Sequence, residues 1–140
     1  MDWNSWVKRL HRALPAIKDL MYDTSKSCMP KAAYTYYVLS GDVTKPMEVL
    51  SATVKSPTYD VESIDLLARM APASKSAIPL IGEKLDAEEE AVREAAVIAL
   101  GKFGSDSKDY LPSIRKLAAN DPDVLVRKHA ELAIQKIIKQ

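Results

Sequence analysis

Four prolines divide this 140-residue chain at near-regular intervals: Pro15, Pro46, Pro79 and Pro112 lie 31, 33 and 33 residues apart. Each is followed by an aliphatic residue, Ile17, Val49, Ile81 and Ile114, with a one-residue slip at Glu48-Val49. Self-similarity at a period of about 20 to 50 residues describes a stack of supersecondary units, none of which can bury its apolar face alone. The composition agrees with helical units. It is 47% hydrophobic with four glycines and 6% aromatics, and Ala, Leu, Ile and Val recur at helical spacing, an all-α signature.

The unit is clearest at the C-terminal end. Ser107 is placed to cap a helix carrying Tyr110, Leu111, Ile114, Leu117 and Ala118 on one face. Asn120-Asp121-Pro122-Asp123 ends that helix and begins another, with Asp121 as N-cap, Pro122 at the first helical position and Asp123 favourable to the helix dipole. Val126, Ala130, Ala133, Ile134 and Ile137 form the second helix's stripe. Two amphipathic helices with a short connection make an antiparallel hairpin.

One unit earlier the pattern returns. Ile78-Pro79-Leu80-Ile81 opens the first helix, and Asp86 with Glu89 reads as a capping box for the second. Val92, Ala96, Ala99 and Leu100 precede Val126, Ala130, Ala133 and Ile134 by 34 residues, as Arg93 precedes Arg127. Glu88-Glu89-Glu90 suits the positive end of a helix, and Gly101 and Gly104 punctuate its exit. The earlier units are degraded. Ser56-Pro57 starts a helix with Val61, Ile64, Leu67, Ala68 and Ala71, while Leu14-Pro15-Ala16-Ile17 parallels Leu111-Pro112-Ser113-Ile114, followed by a second helix from Pro30 to Leu39. Four hairpins therefore fill a single domain, at approximately 1–40, 41–72, 73–105 and 106–140.

The run from Ile78-Pro79-Leu80-Ile81 through Ala91-Val92-Arg93-Glu94-Ala95-Ala96 to Gly104 resembles HEAT-like repeats of the short phycobilisome-lyase type. The likeness is strong over 74–140 and weaker over 1–73, where Glu62 stands in place of the arginine. Tetratricopeptide repeats have a similar period, but their proline, Trp and Gly-Tyr positions do not match. The resemblance implies a right-handed α-solenoid of about four antiparallel helix hairpins, first helices on the convex side and second helices on the concave one. It also implies a structural ladder in which Arg93 and Arg127 reach acidic groups at the neighbouring turns, Asp86 and Asp121. An end unit must differ from the others. A first helix with Trp3, Trp6, Val7, Leu10, Leu14, Ile17 and Met21 on one stripe, and Lys8, Arg9 and Arg12 outside it, suits an N-terminal cap.

Little in the chain points to catalysis. His11 and His129, the two histidines, fall in the first and last units and cannot share a metal or a proton relay. No His-Glu pair has ligand spacing, one cysteine makes no zinc site, and Gly101-Lys102-Phe103-Gly104 is not a phosphate loop. The expectation is a non-enzyme without metal or cofactor. Cys28 alone forms no internal disulfide and reads as a small hydrophobe at a helix start. With no signal-peptide pattern at the N-terminus and no apolar run longer than Ala95 to Leu100, the chain reads as cytoplasmic.

A binding surface is the better candidate. Twenty basic against nineteen acidic side chains leave +1 overall, too little for a general attraction to nucleic acid or membrane. The middle is mildly acidic: 60–71 and 88–103 each sum to −2. That disfavours a nucleic-acid groove and suits a protein partner with a basic surface. Tyr34, Tyr36 and Tyr37 fall within four residues, and at about 100° per residue they cannot all face the core. Helical phase places Glu94, Val97 and Gly101 outward on the third unit, and Lys128, Glu131 and Gln135 on the fourth. The expected contact residues are Tyr34, Tyr36, Tyr37, Asp65, Arg69, Glu94, Val97, Lys128 and Glu131, on a chain that is monomeric when unbound. The leading expectation is a non-catalytic protein-binding module using its concave face. The alternatives are a dedicated inhibitor or immunity protein that neutralises a basic toxin such as a nuclease, and an accessory subunit like those of phycobilin lyases.

Overall fold

A computed structural model of the chain describes residues 3–139, without the side chain of Trp3. Among the described residues there are eight α-helices and no strand: α1 (Trp3–Tyr22), α2 (Met29–Ser40), α3 (Thr44–Thr53), α4 (Asp60–Arg69), α5 (Ile78–Glu83), α6 (Glu90–Phe103), α7 (Leu111–Asn120) and α8 (Val124–Ile138). Consecutive helices pair as α1/α2, α3/α4, α5/α6 and α7/α8, and the second helices α2, α4, α6 and α8 stand side by side. This is an all-α solenoid.

Proline position explains where several of these helices begin. Pro79 and Pro112 are the second residues of α5 and α7, and Pro46 is the third of α3. A missing N–H costs nothing there, because first-turn donors have no intrahelical acceptor. Pro15 departs from the rule: it lies inside α1, which begins at Trp3. The stretch corresponding to the start of α7 is Leu14-Pro15, so α1 carries an added N-terminal segment. In the later units the same place is taken by 3-10 segments, Lys75–Ala77 and Gly104–Tyr110.

The caps sit further along than the sequence predicts. Asp123, not Asp121, is the N-cap of α8, its carboxylate accepting from the Leu125 and Val126 N–H groups at 2.9 and 3.0 Å. Asp121 instead leaves α7 in extended conformation, so Pro122 belongs to the connection. The third unit repeats this geometry. Ala87 is extended, Glu89 is the N-cap of α6 without a side-chain hydrogen bond, and Asp86 closes the 3-10 turn Lys84–Asp86. Ser107 is buried within the 3-10 segment before α7 rather than capping that helix.

The core runs along the seam between hairpins, and α6 is its centre. Val92, Ala96, Val97, Ala99, Leu100, Gly101 and Phe103 are all buried because α4, α5 and α8 surround that helix. Close approach depends on glycine at two places. A Cβ at Gly82 would collide with the Tyr110 ring, and one at Gly101 would stand 3.2 Å from Ala133 Cα and Cβ. The equivalent positions of the last hairpin carry Arg115 and Gln135, both exposed.

The first hairpin is looser. Met21 of the expected α1 stripe is fully buried, Val7, Leu10, Leu14 and Ile17 are half-buried, and Trp6 is 48% exposed. Trp3, the remaining member, has its side chain outside the described residues. At the exit of α2, Gly41 adopts φ 74°, the left-handed conformation that lets its N–H reach the Tyr37 carbonyl at 2.9 Å.

Candidate functional site

The second helices form one continuous face, and each seam across it is crossed by a contact between a basic and an acidic side chain. Lys31 Nζ of α2 lies 3.7 Å from Glu62 Oε1 of α4, Lys102 Nζ of α6 lies 3.9 Å from Asp65 Oδ1 of α4, and His129 Nδ1 of α8 lies 3.2 Å from Glu94 Oε1 of α6. Asp65 is also held by Arg69 one turn later, at 3.1 Å. Pairs as open to solvent as these contribute about 0–1 kcal/mol each. Their main effect is to fix where charge stands along the face.

Between α4 and α6 the face opens into a groove of about 610 Å³. Its floor is short and apolar, with Ala68, Ala91, Ala95 and Ala99 beside Ile98 and Val61. Alanine at these positions leaves a furrow that longer side chains would fill. Glu62 and Asp65 on one wall and Glu94 on the other face it, with Lys102 as its one basic lining residue. A second groove of about 290 Å³ adjoins it between α6 and α8, lined by Ile98, Gly101, His129, Leu132, Ala133 and Lys136. Ile98 is common to both grooves.

The structure brings only some of the expected contact residues together. Asp65 and Glu94 line the larger groove, and Arg69 stands beside Asp65, exposed. Lys128 and Glu131 are exposed on α8 but line neither groove. Tyr34, Tyr36 and Tyr37 are half-buried against the core of the first hairpins, the Tyr34 and Tyr37 rings 6.2 Å apart and tilted by 41°. Val97 is a correction: its exposure is 0%, and it fills the core instead of facing a partner. Gly101, also expected outward, is buried under α8. Helical phase alone misplaced both residues because α6 has neighbours on two sides.

Sequence reasoning missed Glu62, Ala95, Ile98 and Lys102 as groove residues. A signal existed. Ala91, Ala95, Ile98 and Lys102 are spaced i, i+4, i+7, i+11, a single helical stripe whose small members mark a close approach or a furrow.

The predicted ladder has one complete rung. Arg93 Nε and Nη2 donate to Asp121 Oδ2 and Oδ1 at 2.8 and 3.1 Å, while Arg93 Nη1 donates to the Ala87 and Glu88 carbonyls at 2.9 and 2.8 Å. The side chains are 12% and 2% exposed. Arg127 repeats the inner half of the motif, its Nη1 donating to the Asp121 carbonyl at 2.6 Å. Asp86 is not a rung. The residue equivalent to Asp121 in the third unit is Ala87, extended and 34 residues earlier, and Asp86 is exposed. In the second unit the buried set Ser63, Ile64, Leu66, Leu67 and Ala68 matches Ala96, Val97, Ala99, Leu100 and Gly101 at a shift of 33. Asp60, rather than Glu62, then occupies the arginine position.

Charge in the rung is settled by the balance of burial and pairing. Burial of the Asp121 carboxyl opposes ionisation more than any single contact favours it. The Arg93 hydrogen bonds, the Asp123 N–H at 2.9 Å and the charges of Arg93 and Arg127 outweigh it together, and the carboxyl is held below its ordinary range. Arg93 is correspondingly held more firmly protonated, chiefly by its hydrogen bonds to Asp121.

Among the described residues no group of three or more His, Cys, Asp and Glu side chains is placed to hold a metal ion. No described helix is long and apolar enough to cross a membrane. No curated protein and no solved structure matches the chain. A family model of HEAT repeats matches residues 47–135, from within α3 to within α8. Repeats of this kind generally mediate protein–protein interaction, and the family is typically a non-catalytic scaffold. The paired helices, the stacked second helices and this match together assign the chain to the HEAT repeat family.

Proposed function

We propose that the chain is a non-catalytic binding module that holds one partner protein in the groove between α4 and α6. The observation that carries this reading is the alanine-floored furrow with carboxylates on both walls. An open apolar floor offers area to be removed from water, and the surrounding charge selects what comes to it. Glu62, Asp65 and Glu94 against Lys102 favour a partner that presents a basic surface.

The same acidic lining favours a narrower version, in which the partner is a basic enzyme or toxin that the chain inhibits. The test is capture from native extract on the tagged full chain. Wild type and a Lys75→Glu control should retain the same stoichiometric protein, which Ala91→Trp and Ala95→Trp should lose while remaining folded. Retention by the tryptophan variants would overturn the groove as the binding site. Adding the chain to the captured protein's own activity assay then separates inhibitor from scaffold.

A further inference from the structure

The groove has a direction. α4 and α6 run the same way, as equivalent helices of successive hairpins do, and charge is sorted along them. Glu62 is in the first turn of α4 and Glu94 in the second turn of α6, whereas Arg69 and Lys102 are in the last turns. Asp65, between the two ends, lies against Arg69 and Lys102, as Glu62 lies against Lys31 and Glu94 against His129, solvent-open contacts weak enough to be exchanged for a partner's charges. The groove is thus acidic where α4 and α6 begin and basic where they finish.

Its walls also select the backbone of what can lie in it. Both are α-helices whose main-chain groups are bonded internally, so they offer no ladder partners to an extended chain. An extended segment on the alanine floor would leave its own N–H and C=O groups unpaired, while a helix satisfies them itself. The furrow between two parallel helices with small side chains receives the ridge of a third.

Resting on the proposed partner-binding role of this groove, we infer that the occupant is an amphipathic α-helix of the partner, antiparallel to α6, with an acidic residue followed two turns later by Lys or Arg. Glu94 and Lys102 are eight residues apart on one helix, about 12 Å along its axis. A docked helix meets that separation with charges seven residues apart on one face. Running antiparallel, it brings its cation to Glu62 and Glu94 and its anion to Lys102. This order also puts the cation toward its own C-terminal end, where the helix dipole favours positive charge. Small or aliphatic residues between the two charges cover Ala95 and Ile98, and the turn beyond the cation covers Ala91.

The test uses the full chain and a displayed library of 20-residue amphipathic helical peptides with randomised charge positions. Selection should enrich sequences reading Asp or Glu, six residues, then Lys or Arg. A synthetic peptide of that order should bind at least tenfold more tightly than its charge-swapped counterpart. The triple variant Glu62→Lys, Glu94→Lys, Lys102→Glu should reverse the preference. Enrichment without charge order, a preference that survives the triple variant, or no enrichment at all would overturn the inference. Should that happen while capture of the native partner still depends on Ala95, only the charge-ordered helix falls. Should capture be indifferent to Ala95 as well, the groove falls with it.

Discussion

The Arg93 guanidinium spans two hairpins: it donates twice to the Asp121 carboxylate of the following unit and twice to the turn that precedes its own helix. Both side chains are almost removed from water, at 12% and 2% exposure. Taking away one member leaves the other buried and unpaired, which typically costs about 3–5 kcal/mol. Asp121→Asn and Arg93→Ala should each lower the urea-unfolding free energy by about 3 kcal/mol. The double variant should lose much less than the sum, because the orphaned charge is gone. Additive losses would mean that the rung is not a coupled pair.

The same rung makes the protein sensitive to acid. Asp121 has a folded pKa below its unfolded one, so the stabilisation is fully present above the unfolded value, about pH 4, and is lost as pH falls through the lower folded value. The stability difference between wild type and Asp121→Asn should therefore be constant near neutrality and shrink below about pH 4. Denaturant midpoints from pH 2 to 7 check this; a difference that grows on acidification would reverse the sign.

Gly82 and Tyr110 are a matched pair across the α5 boundary, since a methyl group at 82 occupies the space of the ring. Alanine would gain about 1 kcal/mol in helix propensity, but overpacking of this kind costs about 1–3 kcal/mol. Gly82→Ala should be destabilising in the wild type and become neutral or stabilising when Tyr110 is replaced by alanine. Thermal unfolding of the four proteins measures that change of sign.

Val97 and Glu94 separate stability from binding. Val97→Asp places a carboxylate at a position with no exposure and should unfold the third hairpin's packing, with loss of helical circular dichroism at 25 °C. Glu94→Lys, on the groove wall, should leave the unfolding free energy within about 0.5–1 kcal/mol of wild type and still abolish partner capture. A folded Val97→Asp protein would contradict the burial of that side chain.

Much of the architecture was legible because it is local. Helix type, the 34-residue recurrence and the hairpin pairing of α7 with α8 depend on residues within a few turns, and Val126, Ala130 and Ala133 declare their face by spacing alone. The arginine pattern was equally legible as a repeat, and of the two acidic partners expected for it the structure keeps Asp121 and not Asp86. Arg93 reaches Asp121, 28 residues away, while the nearer Asp86 faces water.

By itself the sequence determined that the chain is a stack of helix pairs, since period and apolar spacing are properties of neighbouring residues. Tertiary structure alone decided which stripe of α6 remains open. That helix is flanked by both α4 and α8, so Val97 closes a seam while Ala91, Ala95 and Ile98 line a furrow. A residue's exposure in a solenoid depends on the next unit as well as its own helix, and the groove exists because short side chains on two helices meet across a distance no single helix encodes.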